Sequence, residues 1–161
     1  MSLPQRKPNR LRNFDYSLPG AYFITICTAD RKKLFWDNSC LLPAVSEDIP
    51  LSPWGQVVAS AILNIPEHYP AVSLDRYVVM PNHVHLLLQI HTDANGRVIP
   101  TPPISKIIQQ LKGYCTKQIG VPIWQKLFHD HVIRGEKDYA MIWEYIENNP
   151  HRWLEDCFYT P

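Results

Sequence analysis

The chain has 161 residues, with 16 Lys and Arg against 15 Asp and Glu and a formal net charge of +1. That balance excludes a histone-like basic protein and an acidic disordered chain, while 45% hydrophobic residues suffice for one packed domain. No apolar run reaches the ~18 residues of a membrane span, residues 1–12 lack the apolar core of a secretory signal, and Cys27, Cys40, Cys115 and Cys157 form no CxxC pair, so a reduced, cytoplasmic setting is expected.

Residues 1–20 read as an arm ending in the Leu18-Pro19-Gly20 turn. Ala21 to Thr28 is rich in β-branched and aromatic residues and predicts a buried strand. Residues 37–52 read as a Pro-containing loop. Ser52-Pro53 then opens a helix with a cap residue and a proline at the first helical position. Val57, Val58, Ala61, Ile62 and Ile65 give it an apolar stripe before Pro66. Two strands, Val72–Val79 and His83–His91, are expected around the tight turn Met80-Pro81-Asn82. After a loop over 92–103, Ser105 is expected to cap a helix to about Gln118, with Ile107, Ile108, Leu111 and Cys115 on its core face. Phe128–Arg134 reads as a short strand and Glu136–Asn149 as a helix stopped by Pro150. This order predicts an α+β fold: a ferredoxin-like βαββαβ antiparallel sheet with an extra C-terminal helix. One domain over residues 21–153 would stand between a basic arm and a tail at 154–161.

The charge is unevenly spread. Residues 1–33 carry Arg6, Lys7, Arg10, Arg12, Arg31, Lys32 and Lys33 against Asp15 and Asp30, a net +5, and the remaining 128 residues carry a net −4. A basic arm on a slightly acidic body reads either as a local phosphate contact or as a solvated tail.

Two constellations carry candidate chemistry. In Pro81-Asn82-His83-Val84-His85, residues i and i+2 of a strand face the same way. The two imidazoles therefore project side by side, either as half of a divalent-metal site or as two polar residues on a sheet surface. A second pair, His129 and His131, flanks Asp130, which alternation turns away from both. In Trp143 to Pro150, Tyr145 and Asn149 are four apart and share a helical stripe. Tyr145 reads either as a packing aromatic or as a nucleophile, and the latter needs activation because a free phenol has a pKa near 10. A metal beside a scissile phosphate would supply that help. Trp36, Trp54, Trp124, Trp143 and Trp153 offer base-stacking platforms, with core packing the simpler reading for most.

Taken together, four stretches make the chain resemble the REP-associated tyrosine transposases, a branch of the HUH single-strand endonucleases. They are Phe14–Thr28, Val78–Leu87, Ile123–Arg134 and Glu144–Pro150, and they span nearly the whole sequence. The resemblance implies an HUH domain whose C-terminal helix carries the catalytic tyrosine, acting on single-stranded or hairpin DNA. It implies that His83 and His85 bind Mg2+ or Mn2+ together with Asn149, and that Tyr145 is the residue that becomes joined to a 5′ phosphate. The histidine ligands favour Mn2+. Relatives also carry a basic N-terminal arm, which implies DNA contacts by Arg6, Lys7, Arg10 and Arg12, and the Arg31-Lys32-Lys33 run could track the backbone. Some relatives are homodimers that share the tyrosine helix and others act as monomers. No membrane partner is expected. A catalytically silent hairpin-binding module and a metal-dependent phosphodiesterase that uses water are the alternatives.

Overall fold

The computed structural model describes residue 11, residues 13–37 and residues 49–155. Arg6, Lys7, Arg10 and Arg12 lie outside the described residues, as do Cys40 and Cys157.

Alternation along the first strand decides the layering. In β1 (Gly20–Cys27), Tyr22, Ile24 and Ile26 are buried on one side, and Phe23, Thr25 and Cys27 project to the other. The strand order is β2-β3-β1-β4, with β2 at Val72–Val79, β3 at His83–Ile90 and β4 at His129–Val132. Every pairing is antiparallel, as a ferredoxin-like βαββαβ sheet requires. The Tyr22 side is covered by α1 (Pro53–Leu63) and α3 (Ile104–Ile119), which pack on each other. A single cluster joins Val58 and Ile62 of α1, Leu86 and Leu88 of β3, and Ile107 and Leu111 of α3. The opposite side receives α4 (Glu136–Asn148), which lies chiefly over β2 and β3.

Local chemistry explains the helix starts. The Ser52 hydroxyl accepts from the Gly55 N–H at 3.1 Å, and Pro53 occupies the first helical position, as the sequence predicts. Gly55 is forced by close approach, because a Cβ there would collide with the Phe35 carbonyl oxygen. The start of α3 differs from expectation. It begins at Ile104 after Pro103, with Ser105 already inside. Ile104 is fully buried, and its N–H donates to the Tyr16 carbonyl at 3.1 Å, which satisfies a helix-end donor that a serine cap would otherwise serve.

Three further boundaries move. Asn64 ends α1, and a short α2 (Ile65–His68) follows as a separate turn. β4 spans four residues rather than seven, with one further bond from the Ile133 N–H to the Ala21 carbonyl at 3.0 Å. Upstream of β1, Phe14 and Tyr16 pack edge-on against each other, 5.0 Å between centroids, and reach Tyr22 at 6.4 and 6.2 Å. This part of the arm is therefore seated on the core. Among the described residues no helix is long and apolar enough to cross a membrane.

Candidate active site on the helix-covered face

Register brings the candidate residues together. Cys27 pairs with His83 and Thr25 with His85, so both imidazoles lie on the face that α4 covers. They are buried, at 0% and 1% exposure, which removes the surface-polar reading. Their Nε2 atoms converge at 3.1 Å. Each outer nitrogen has its own anchor: His83 Nδ1 meets Asn82 Oδ1 at 2.8 Å, and His85 Nδ1 meets Thr25 Oγ1 at 2.8 Å. Burial, then the neighbouring His83, pushes the His85 pKa well below the ordinary histidine value, so this imidazole is neutral at physiological pH. Two imidazoles with convergent inner nitrogens and tethered outer nitrogens have the arrangement of metal ligands with their outer-shell supports.

Helix α4 brings Tyr145 to the same place. Its ring lies 5.3 Å from that of His85 and 6.1 Å from Phe23, while Phe23 stacks on His85 at 5.1 Å. Tyr145 remains 40% exposed while its ring and that of His85 meet edge to face. Asn149 keeps helical torsions (φ −58°, ψ −43°) and is buried, so Pro150 does not spoil its four-residue relation to Tyr145. Four residues further on, the Trp153 ring lies 6.1 Å from that of His83. Asn149 thus sits on the chain between the two contacts that α4 and its extension make with the histidine pair. Among the described residues no three His, Cys, Asp or Glu side chains group as a metal site.

Other predicted residues fall elsewhere. Arg31, Lys32 and Lys33 form an exposed turn just after β1, at its His83 end. Asp30 and Arg31 both adopt left-handed torsions (φ 54° and 53°). The turn is fastened to the loop before His83: the Thr28 N–H donates to the Asn82 carbonyl at 2.9 Å, and the Leu34 and Phe35 N–H groups donate to the Pro81 carbonyl at 2.8 and 3.1 Å.

His129 and His131 pair with Thr25 and Phe23 and share their face, with Asp130 on the other side as alternation requires. His131 is taken up by Asp138, Nε2 to Oδ2 at 2.8 Å, and that carboxylate also accepts from the Arg134 N–H at 2.9 Å. These two bonds hold the Asp138 pKa below the usual carboxylate value, the Arg134 N–H contributing most. Lys112 donates to the Gln125 and Lys126 carbonyls, a packing role. The tryptophans pack as well. Trp36 and Trp153 are buried 6.3 Å apart, Trp124 lies 5.3 Å from Phe35, and Trp54 and Trp143 rest against the core.

Sequence reasoning passed over Thr25, Asn82 and Phe23. Two of them carried a signal, a hydroxyl inside an apolar strand and a carboxamide directly before the first histidine.

Comparison with protein-family models finds no match. A Haemophilus influenzae protein of uncharacterized function is 31% identical over 174 residues, spanning 96% of this chain and 93% of its own. A second H. influenzae protein, provisionally named a REP-associated tyrosine transposase, is 28% identical over 151 residues, spanning 88% and 77%. A solved structure of a REP-associated tyrosine transposase bound to a REP hairpin superposes with a TM-score of 0.62 at 21% identity, covering 94% of this chain and 88% of that one. At that identity the structural likeness is one of fold.

Proposed function

The chain belongs to the REP-associated tyrosine transposase family, and on that premise we propose that it nicks and rejoins single-stranded DNA at a hairpin through Tyr145, with Mg2+ or Mn2+ held by His83, His85 and Asn149. The observation that carries this reading is the contact of Tyr145 with His85, whose Nε2 meets that of His83 at 3.1 Å. A partly exposed candidate nucleophile thus lies against a buried two-nitrogen half-site. The DNA partner is further supported by the hairpin held by the structural neighbour.

In the proposed reaction the Tyr145 phenol loses its proton and its oxygen forms a bond to the scissile phosphorus. The P–O3′ bond breaks, and the departing oxygen takes up a proton as a free 3′-OH. The phosphotyrosine conserves the diester's energy, so a second 3′-OH can attack it, restore the phenol and reseal DNA without ATP. A bound divalent ion would supply charge neutralisation on the phosphate oxygens, easing approach of a phenolate. The chain's own residues do the placing. Phe23 supports both the His85 and Tyr145 rings, α4 holds Tyr145 over the sheet, and the exposed Arg31–Lys33 turn offers phosphate contacts at the histidine end of β1.

The test is incubation with hairpin-bearing single-stranded DNA and Mn2+, followed by denaturing electrophoresis. A covalent protein–DNA adduct is expected with the wild type and none with Tyr145→Phe. Equal cleavage by both proteins would transfer the reaction to water, and binding without any cleavage would leave a hairpin-binding module.

A further inference from the structure

The two histidines are not equivalent, because their outer partners differ in kind. Thr25 offers a hydroxyl that can donate or accept, whereas the Asn82 amide has a fixed acceptor end and a fixed donor end. The Arg31 carbonyl, which can only accept, sets the orientation of that amide. It faces Asn82 Nδ2 at 3.4 Å. A flipped amide would set two carbonyl oxygens against each other there, whereas the imidazole nitrogen of His83 could serve either orientation by changing tautomer. The left-handed torsions of Asp30 and Arg31, a conformation costly for residues with side chains, turn the chain where the Arg31 carbonyl meets Asn82. With the amide so oriented, His83 Nδ1 must carry a proton and donate it to Asn82 Oδ1, which leaves the His83 Nε2 lone pair facing His85.

The 3.1 Å contact between the Nε2 atoms then has one consistent assignment in the ion-free protein. His85 carries its proton on Nε2 and donates it to His83 Nε2, while its Nδ1 accepts from the Thr25 hydroxyl. For His85 to act as a ligand through Nε2, that proton has to leave. It is replaced by one on Nδ1, and the Thr25 hydroxyl turns from donor to acceptor. No net proton is gained or lost by the imidazole.

We infer that Asn82 and Thr25 are positioning residues that divide the pair into a preset ligand, His83, and a switchable one, His85. This rests on the metal assignment of the proposed function and adds to it an order: His83 is ready to receive an ion, and His85 joins by exchanging tautomer.

The experiment is long-range 1H–15N spectroscopy of the full chain labelled with 15N-histidine, which identifies the protonated nitrogen of each ring. Without metal, His83 should be protonated at Nδ1 and His85 at Nε2. With Zn2+ as a diamagnetic probe, both should carry the proton on Nδ1. An ion-free His83 protonated at Nε2 overturns the preset half, and an ion-free His85 already protonated at Nδ1 overturns the switch. If Zn2+ and Mn2+ both fail to bind at millimolar concentration, the metal assignment falls and the switch with it, while the ion-free spectrum still decides the preset half.

Mn2+ titration followed by electron paramagnetic resonance supplies the variant arm. Asn82→Leu should weaken binding about 10–100-fold, the usual effect of removing an outer-shell partner. Asn82→Asp, which keeps an acceptor for Nδ1 but sets an oxygen against the Arg31 carbonyl, should lose less affinity than Asn82→Leu. Thr25→Val should weaken binding about 10-fold and Thr25→Ser should restore it. Wild-type affinity in both Asn82→Leu and Thr25→Val would overturn the inference. Equal losses in Asn82→Leu and Asn82→Asp would do the same for the role given to the acceptor.

Discussion

The Tyr139 hydroxyl donates to Asp75 Oδ2 across 2.6 Å, joining the beginning of α4 to an irregularity in β2. The register of β2 on β3 shifts between Leu74 and Arg76, and Asp75 is the residue at the shift. A bulge of this kind re-aims side chains. Here Asp75 and Arg76 both reach α4: Arg76 pairs with Glu147 at 3.2 Å and its guanidinium lies 4.9 Å from the Trp143 ring centre. The helix that carries Tyr145 is thus fastened to the sheet edge at both ends.

Removing the Tyr139 hydroxyl should loosen that attachment without touching the histidines. Tyr139→Phe is expected to cost about 1 kcal/mol, a fall of roughly 2–4 °C in melting temperature for a chain of this size. Hydrogen exchange should rise most in α4, and Mn2+ affinity should stay at the wild-type value. Uniform exchange across the sheet would contradict the anchoring role.

Alkaline pH acts on the same contact. Burial, then the Asp75 carboxylate, pushes the Tyr139 phenol up to about 12. Burial, then Asp15, does the same for Tyr22. A phenol near 10 in the unfolded chain and near 12 in the fold binds its proton more tightly when folded. This contribution is therefore complete below pH 10 and lost as pH rises from about 10 to about 12. Denaturant midpoints should decline over that interval, and Tyr139→Phe should make the decline shallower.

The basic turn makes a prediction about DNA. Replacing Arg31, Lys32 and Lys33 with Ala should weaken single-strand binding and lower the salt slope by roughly 0.7 for each phosphate that is no longer neutralised. Fluorescence anisotropy across a salt series measures both quantities. Deleting residues 1–12 should act in the same direction; an unchanged slope would make that segment a solvated tail.

Gly55 tests the packing directly. A methyl group there would meet the Phe35 backbone oxygen, which cannot move aside as a side-chain tip can. Gly55→Ala should cost about 1–3 kcal/mol, read as a lower urea midpoint with an unchanged m-value.

The order of elements along the chain and the shared face of the two histidines were legible because hydrophobic periodicity is a local property. Val84 and Leu86 fall on the packed side, and His83 and His85 follow on the other. The four-residue step from Tyr145 to Asn149 was legible for the same reason. The start of α3 was not, because the carbonyl that serves Ile104 belongs to Tyr16, far away in sequence. The role of Asn82 was hidden in the same way, since its orientation depends on a carbonyl 51 residues upstream. The pairing of His131 with Asp138 required knowing how α4 leaves β4, which Gly135 sets with a positive φ of 89°.

Because α4 lies chiefly over β2 and β3, the same sheet face continues past Tyr145 across β1 and β4, where His129 and His131 are exposed. Tyr145 therefore stands at a shoreline, with packed helix on one side and, past β1, the exposed histidines of β4 on the other. For a reaction that must release one strand end and admit another, this geography separates holding from exchange. In the proposed reaction the anchored helix would keep the linked strand in register while incoming and outgoing ends pass along the exposed β4 edge, so turnover would not wait for the domain to open.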